Sequence, residues 1–128
     1  MIVTAVKVVD ASALGALLFG EPDCVAVGER LRQGGLIAPA LLHFDVANIC
    51  IKKMRCHPDQ RDALMAAFPM LGRMKARIVD VDHGAALVLA ERSGLSAHDA
   101  SYLWLARRMN AELVTLDSQL EATWAAGR

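Results

Sequence analysis

The sequence predicts an α/β fold in which a parallel sheet is covered by helices on both faces. Two observations lead to this prediction. Short runs rich in Val, Ile and Leu, typical of buried strands, alternate along the chain with longer helical patterns. Glycine, proline or a helix-capping polar residue separates most of these segments. The chain has 128 residues, and because domains typically run to about 100–200 residues, we expect residues 1–128 to form one domain.

Each predicted strand contains several apolar residues and ends close to a polar residue or glycine. The first is rich in β-branched residues and ends at Asp10, and the second follows the pair Gly34-Gly35. The third alternates apolar and polar residues, as a strand with one buried face does. In chain order, the predicted strands are residues 3–9, 36–38, 77–81 and 111–116.

Each helix is predicted from apolar residues at helical spacing together with a start or stop signal. Asp10 or Ser12 can cap the first helix, and Ser96 can cap the sixth. Pro22 with its acidic neighbours opens the second. The predicted helices are one that ends at Gly20, one between residues 21 and 34, one over 39–53, one from 57 that Pro69 ends or kinks, one over 85–92 that Gly94 closes, one from Ser96, and one from Ser118.

Composition restricts the class of protein. The net charge is zero, from 14 basic and 14 acidic residues, so binding to a nucleic acid must rest on a local patch. The three cysteines form no CxxC pair, which favours reduced thiols in the cytoplasm. No apolar run reaches the length of a membrane span, and we expect no cleaved leader. The hydrophobic content of 55% indicates an oligomer face or a partner groove.

Four aspartates are the candidate functional residues. Asp10 and Asp117 follow predicted strands, Asp99 lies near a helix start, and Asp45 lies inside an apolar helix, where capping cannot explain it. Carboxylates at the carboxyl ends of strands in an α/β fold tend to meet in one crevice. Two unit charges about 5 Å apart repel by roughly 3 kcal/mol at an effective dielectric near 20, so a cluster needs protons or a divalent cation. The pattern predicts a carboxylate-lined Mg²⁺ or Mn²⁺ site.

These aspartates also have structural interpretations. Asp10 and Asp117 suit helix N-caps, and Asp99 with Ser96 resembles a capping box. Asp45 and Asn48 are three residues apart, so they share a helix face and form either a polar seam or part of the site.

Other clusters are weaker candidates. Asp82 suits an N-cap, which accounts for the pair Asp80 and Asp82. A zinc site from cysteine and histidine lacks the paired ligand spacing. Two groups of basic residues could contact phosphate, although solvated surface is the alternative interpretation; they are Arg107-Arg108 and the set Arg73, Lys75 and Arg77.

The blocks that contain the four aspartates resemble those of PIN-domain ribonucleases, most closely the VapC toxins of bacterial toxin–antitoxin pairs. The blocks are residues 8–14, 44–48, 95–102 and 113–117, and the resemblance extends over essentially the whole chain. It implies a three-layer α/β/α sandwich with a central parallel sheet and an endoribonuclease dependent on Mg²⁺ or Mn²⁺. It also implies a homodimer held inactive by a VapB-like antitoxin, and a structured RNA substrate such as tRNA or rRNA.

By position, the resemblance assigns Asp10, Asp99 and Asp117 to the metal-site acids and Ser12 to the small polar residue after the first acid. The family usually has glutamate where this chain has Asp45. Aspartate is one methylene shorter, so its carboxylate reaches roughly 1 to 1.5 Å less far. We expect Asp45 to position water or a second ion.

Two alternatives stay open at this point. One is a catalytically weak PIN-fold binding module that acts through its antitoxin, which an apolar groove would hold as a helix. The other is a phosphoryl-transfer domain with Asp10 as the nucleophile. That alternative lacks a second aspartate two residues on, where Ser12 stands, and a lysine after a late strand.

Overall fold

The computed structural model describes residues 5–127. Its strands are β1 Lys7–Val9, β2 Leu36–Ala38, β3 Arg77–Ile78 and β4 Glu112–Val114. Its helices are α1 Ala11–Leu18, α2 Cys24–Leu31, α3 Leu42–Cys56, α4 Arg61–Ala67, α5 His83–Ser93, α6 Ala97–Arg108 and α7 Ser118–Ala126. Two 3₁₀ segments, Pro58–Gln60 and Phe68–Met74, flank α4.

The four strands form one parallel sheet in the order β3-β2-β1-β4. β1 is central, and its Val8 and Val9 are fully buried, as their β-branched side chains favour. Val9 lies opposite Val114 of β4 in the register of the sheet. The residues that follow these two strands therefore emerge side by side at the carboxyl edge of the sheet.

Helices cover both faces of the sheet. α1 packs against α2 and α3 on one side, while α5 packs against α6, which also contacts β1 and β4. Fully buried leucines fill the interior, among them Leu14 of α1 and Leu103 and Leu105 of α6. This arrangement confirms the predicted α/β/α sandwich with a central parallel sheet.

The strand order reverses direction at β1. The chain first moves from β1 outward to β2 and β3, then returns through α5 and α6 to place β4 on the other side of β1. In open parallel sheets, such a reversal leaves a crevice at the carboxyl ends of the two strands involved, because their connections diverge to opposite faces. The crevice lies between the ends of β1 and β4.

Several strands are shorter than the sequence predicts. The third strand, predicted over 77–81, pairs only at Arg77 and Ile78, because it is the edge strand and its successor Val79 makes a last bond to Ala38 before the chain turns toward α5. The last strand was predicted over 111–116 but covers 112–114. The first, predicted over 3–9, covers 7–9 of the described residues, and residues 3 and 4 lie outside them.

Helix boundaries were also displaced. The second helix begins at Cys24 rather than 21, and the fifth extends over 83–93 rather than 85–92. The third begins at Leu42 rather than 39, because Pro39 to Leu42 forms a turn closed by a 3.0 Å bond between the Leu42 N–H and the Pro39 carbonyl. The chain from 57 to 74 is partly 3₁₀ helix, and Pro69 lies in the second 3₁₀ segment. Among residues 5–127, no helix combines the length and apolar character needed to cross a membrane.

Candidate metal centre

A cleft of about 430 Å³ opens at the carboxyl edge of the sheet, where β1 and β4 end. Each of the four candidate aspartates lines it, and each comes from a different element. Asp10 follows β1, Asp45 lies on α3, Asp99 lies on α6, and Asp117 precedes α7. The two auxiliary candidates, Ser12 and Asn48, line the same cleft.

Asp10 is the most buried of the four, with 4% of its surface exposed. Its Oδ1 caps α1 by accepting the Ala13 N–H at 3.0 Å, and the same oxygen accepts the Ser12 hydroxyl at 2.7 Å. Its Oδ2 accepts the hydroxyl of Thr115. Because an ionised carboxylate offers about four acceptor positions, these three donors leave about one for a ligand in the cleft.

Thr115, the residue after β4, joins the two strand ends. Its Oγ1 donates to Asp10 and accepts the N–H of Asp117 at 3.0 Å. Ser12 makes a parallel link, since its Oγ accepts the N–H of Leu116 at 2.9 Å. Sequence reasoning assigned no role to Thr115. The available signal was a hydroxyl inside the otherwise apolar run before Asp117.

Asp117 combines two roles that the sequence left as alternatives. Its Oδ1 accepts the N–H of Leu120 at 2.8 Å, so it is the N-cap of α7, and it also lines the cleft. Asp10 shows the same combination at α1. The positive ends of both helix dipoles therefore lie at the crevice and favour negative charge there.

Asp99 connects the four carboxylates electrostatically. Its backbone N–H donates to the Ser96 hydroxyl, which caps α6 at 3.1 Å as predicted. Partial burial raises the pKa of Asp99, and the negative charges of Asp117 and then Asp45 raise it further, whereas Ser96 and His98 lower it. Without a neighbouring cation, the cleft therefore disfavours ionisation of Asp99.

The pKa of Asp10 is raised for similar reasons. Burial is the largest cause and the charge of Asp99 is the smallest, while the hydrogen bonds from Thr115, Ser12 and Ala13 lower it. Positive charge in the cleft would favour the ionised forms of both Asp10 and Asp99.

The prediction that Asp45 lies in mid-helix was wrong, because α3 begins at Leu42 and places Asp45 in its first turn. An acidic residue there interacts favourably with the helix dipole. Its Oδ2 accepts the hydroxyl of Tyr102 at 3.0 Å, and its Oδ1 lies 3.3 Å from Nδ1 of His98. Tyr102 is 2% exposed, and burial together with the charge of Asp45 raises its pKa far above the ordinary value. The hydroxyl therefore acts only as a donor toward Asp45.

The two predicted basic patches do not line this cleft. Of the lysines and arginines in residues 5–127, Lys52 of α3 is the only one that does. Sequence reasoning did not single it out. Its position seven residues after Asp45, on the same helix face, was the signal that could have found it.

The donor set fits a divalent cation. Within residues 5–127, no three acidic, histidine or cysteine side chains lie close enough to bind one ion together. Mg²⁺, however, is usually bound through one or two carboxylates and keeps several waters, so it does not require such a cage. The carboxylate oxygens that line the cleft are the kind of ligand that suits Mg²⁺ or Mn²⁺.

Comparisons with known proteins agree with this geometry. The family model described as the PIN domain matches residues 7–124, a span that contains all four aspartates. The crystal structure of PAE2754 from Pyrobaculum aerophilum is similar in fold, with a TM-score of 0.72 and 27% identity over 92% of this chain and 86% of that chain. Comparison with curated proteins gives no match. PIN domains are generally nucleases. From β1 to α7, this chain belongs to the PIN domain family.

Proposed function

We propose that this protein is an endoribonuclease dependent on Mg²⁺ or Mn²⁺ and the toxin of a type II toxin–antitoxin pair. The observation that carries the proposal is the convergence of four carboxylates from four elements in one cleft at the carboxyl edge of the sheet. Membership in a generally nucleolytic family supports phosphodiester cleavage. The toxin role is supported by the likeness of four sequence blocks to those of VapC proteins.

In this proposal, Asp10 and Asp99 ligate the cation and Asp117 completes the set through a bound water, because Mg²⁺ needs only one or two direct carboxylate ligands. A bound divalent cation supplies positive charge at the phosphate and a more acidic water for in-line attack. Asp10 is fixed for its role by the three donors described above, so its remaining acceptor position faces a constant direction. Asp45, held by Tyr102, positions water or a second ion.

The auxiliary residues act through the carboxylates or beside them. Ser12 orients Asp10 by donating to its Oδ1 and fixes the strand ends through the Leu116 N–H. Asn48 lines the cleft and has an amide that can both donate and accept a hydrogen bond. It is therefore suited to contact a ribose or phosphate oxygen.

The substrate and partners are proposed from the family resemblance. A tRNA or rRNA is the expected substrate, because sequence-selective recognition of RNA favours exposed loop bases. A VapB-like antitoxin and a second copy of the chain are the expected partners, and we expect them in the cytoplasm. Exposed apolar side chains support a partner surface, since Phe44 is 79% exposed and Leu87 is 64% exposed. A monodisperse monomer in light scattering at micromolar concentration would contradict the dimer.

One observation supports a second candidate, a catalytically weak PIN-fold module that acts through its antitoxin. Both oxygens of Asp45 are already engaged, by Tyr102 and by His98. The shorter side chain is thus satisfied by its own neighbours and is less available for catalysis than a glutamate would be.

Induced expression in bacteria, followed by sequencing of RNA 5′ ends, separates the two candidates. We expect growth arrest and discrete new RNA ends with the wild type, and neither with Asp10→Asn/Asp99→Asn. Asp82→Asn is the matched control, because Asp82 is the N-cap of α5 outside the cleft and asparagine caps equally well. It should behave as the wild type.

Two results would contradict the proposal. New RNA ends that persist in the double variant would refute the assignment of the carboxylates. A soluble wild-type protein that produces no new ends would favour the binding module.

A further inference from the structure

One basic residue of residues 5–127, Lys52, lines the cleft together with the four aspartates. Lys52 lies on α3, on the face that carries Asp45 and Asn48 at spacings of seven and four residues. At a rise of about 1.5 Å per residue, its Cα lies about 10 Å along the helix from that of Asp45. The three side chains share one face of α3 and line the cleft together.

Lys52 makes no ion pair within residues 5–127, although four carboxylates line the same cleft. Its side chain is exposed. The adjacent Lys53 differs, because its ammonium group is paired with Glu21 on the chain segment before α2. The two lysines therefore have the same charge at neighbouring positions, but only Lys52 is both unpaired and directed to the cleft.

Local positive charge is what an RNA strand would need at this site. The chain has no net charge, and four carboxylates repel phosphate. The predicted patches at Arg107-Arg108 and around Lys75 lie outside the cleft. A lysine ammonium is a common point-charge ligand for phosphate, with three donors on a flexible stem.

We propose that Lys52 binds an RNA phosphate adjacent to the phosphate that is cleaved. The distance along α3 places this contact beyond the carboxylates rather than among them. Lys52 thereby fixes the direction of the strand, which runs along α3 past Asn48 into the crevice. This inference rests on the proposed ribonuclease function for the identity of its ligand.

The test measures RNA binding apart from cleavage. All proteins carry the Asp10→Asn/Asp99→Asn replacements, which are expected to prevent cleavage. Each is added to a short fluorescein-labelled single-stranded oligoribonucleotide, and binding is measured by fluorescence anisotropy at several salt concentrations. The variants are Lys52→Gln, Lys52→Arg and, as the matched control, Lys53→Gln. Loss of one contact to single-stranded RNA should lower the salt slope of log K by about 0.7, which corresponds to about five-fold weaker binding at 0.1 M salt.

We expect this loss for Lys52→Gln only, with a difference from the background protein that vanishes near 1 M salt. Lys52→Arg keeps the positive charge and should therefore bind RNA as tightly as the background protein. A purely structural role of Lys52 would not make binding depend on this charge. In the otherwise wild-type enzyme, Lys52→Gln should raise KM and leave kcat nearly unchanged, because a flanking contact is made equally in the ground and transition states.

Equal affinity and equal salt slope for Lys52→Gln and the background protein would overturn the inference, even if the wild type cleaves RNA. An equal loss in Lys53→Gln would overturn it as well, since the effect would then reflect net charge alone. A wild type that cleaves no RNA, combined with the specific loss in Lys52→Gln, would refute the proposed nuclease and support the phosphate contact.

Discussion

Replacing Thr115 with valine is expected to lower the free energy of unfolding by about 2–4 kcal/mol, although valine preserves the shape of the side chain. The hydroxyl donates to the charged Asp10 carboxylate and accepts the N–H of Asp117. Hydrogen bonds to charged groups contribute about 1.5–3 kcal/mol and neutral ones about 0.5–1.5 kcal/mol. Thr115 and Asp10 are each 4% exposed, so bulk solvent cannot readily replace the lost donor.

This loss converts to a shift in melting temperature. Unfolding entropies of about 2.1 cal/mol/K per residue give about 0.27 kcal/mol/K for a chain of 128 residues. A loss of about 3 kcal/mol should then lower Tm by about 11 °C. Calorimetry of the metal-free protein in chelator at neutral pH measures this shift directly.

A double-mutant cycle with Asp10→Asn tests whether the loss of stability comes from the hydrogen bond between Thr115 and the charge of Asp10. Asparagine is neutral and brings its own amide donor toward residue 115, so Thr115→Val should cost only about 1 kcal/mol in that background. Two results would refute the reasoning. One is a Thr115→Val protein within about 0.5 kcal/mol of the wild type. The other is an identical loss in both backgrounds, which would show that the hydroxyl does not act through the charge of Asp10.

Three further predictions concern the carboxylates. Because folding raises the pKa of Asp10 and Asp99, their contribution to stability is fully present below the ordinary value of 3.8 and lost as pH rises through the raised values. Metal-free Asp10→Asn/Asp99→Asn should therefore melt above the wild type at pH 7, with a gap that closes toward pH 4; a gap independent of pH would exclude this origin. Mn²⁺ at about 100 times its Kd should stabilise the wild type by about 2.7 kcal/mol in thermal unfolding and leave the double variant unchanged. Asp45→Glu, which extends the carboxylate past Tyr102, should lower the metal concentration for half-maximal cleavage by about tenfold, and an increase would contradict a positioning role.

The elements that the sequence predicted well are those with local signals. Residues 36–38 form β2 as predicted, because a glycine pair and an apolar run bound it on the chain itself. Ser96 and Asp82 cap α6 and α5 as predicted, since a cap involves only residues a few positions apart.

Other features depended on contacts that no local pattern contains. The third strand is short because it has one neighbour and lies at the sheet edge, which alternation within residues 77–81 does not reveal. Thr115 acquires its role from Asp10, 105 positions away. Asp45 was misplaced because the turn at Pro39 delays the start of α3, and its partner Tyr102 lies on α6.

The position of β4 in the chain has a consequence for synthesis. β1 and α1 leave the ribosome first, yet the strand that completes their crevice is the last of the four to emerge. Until then, Val8 and Val9 stand at an open sheet edge, where unpaired strands risk aggregation, and Asp10 lacks the hydroxyl that holds it. If the protein is the ribonuclease proposed above, it is inactive as a nascent chain until β4 joins the sheet. Under the proposed function, the RNA of the translating ribosome would face a functional cleft only after β4 and Asp117 have emerged.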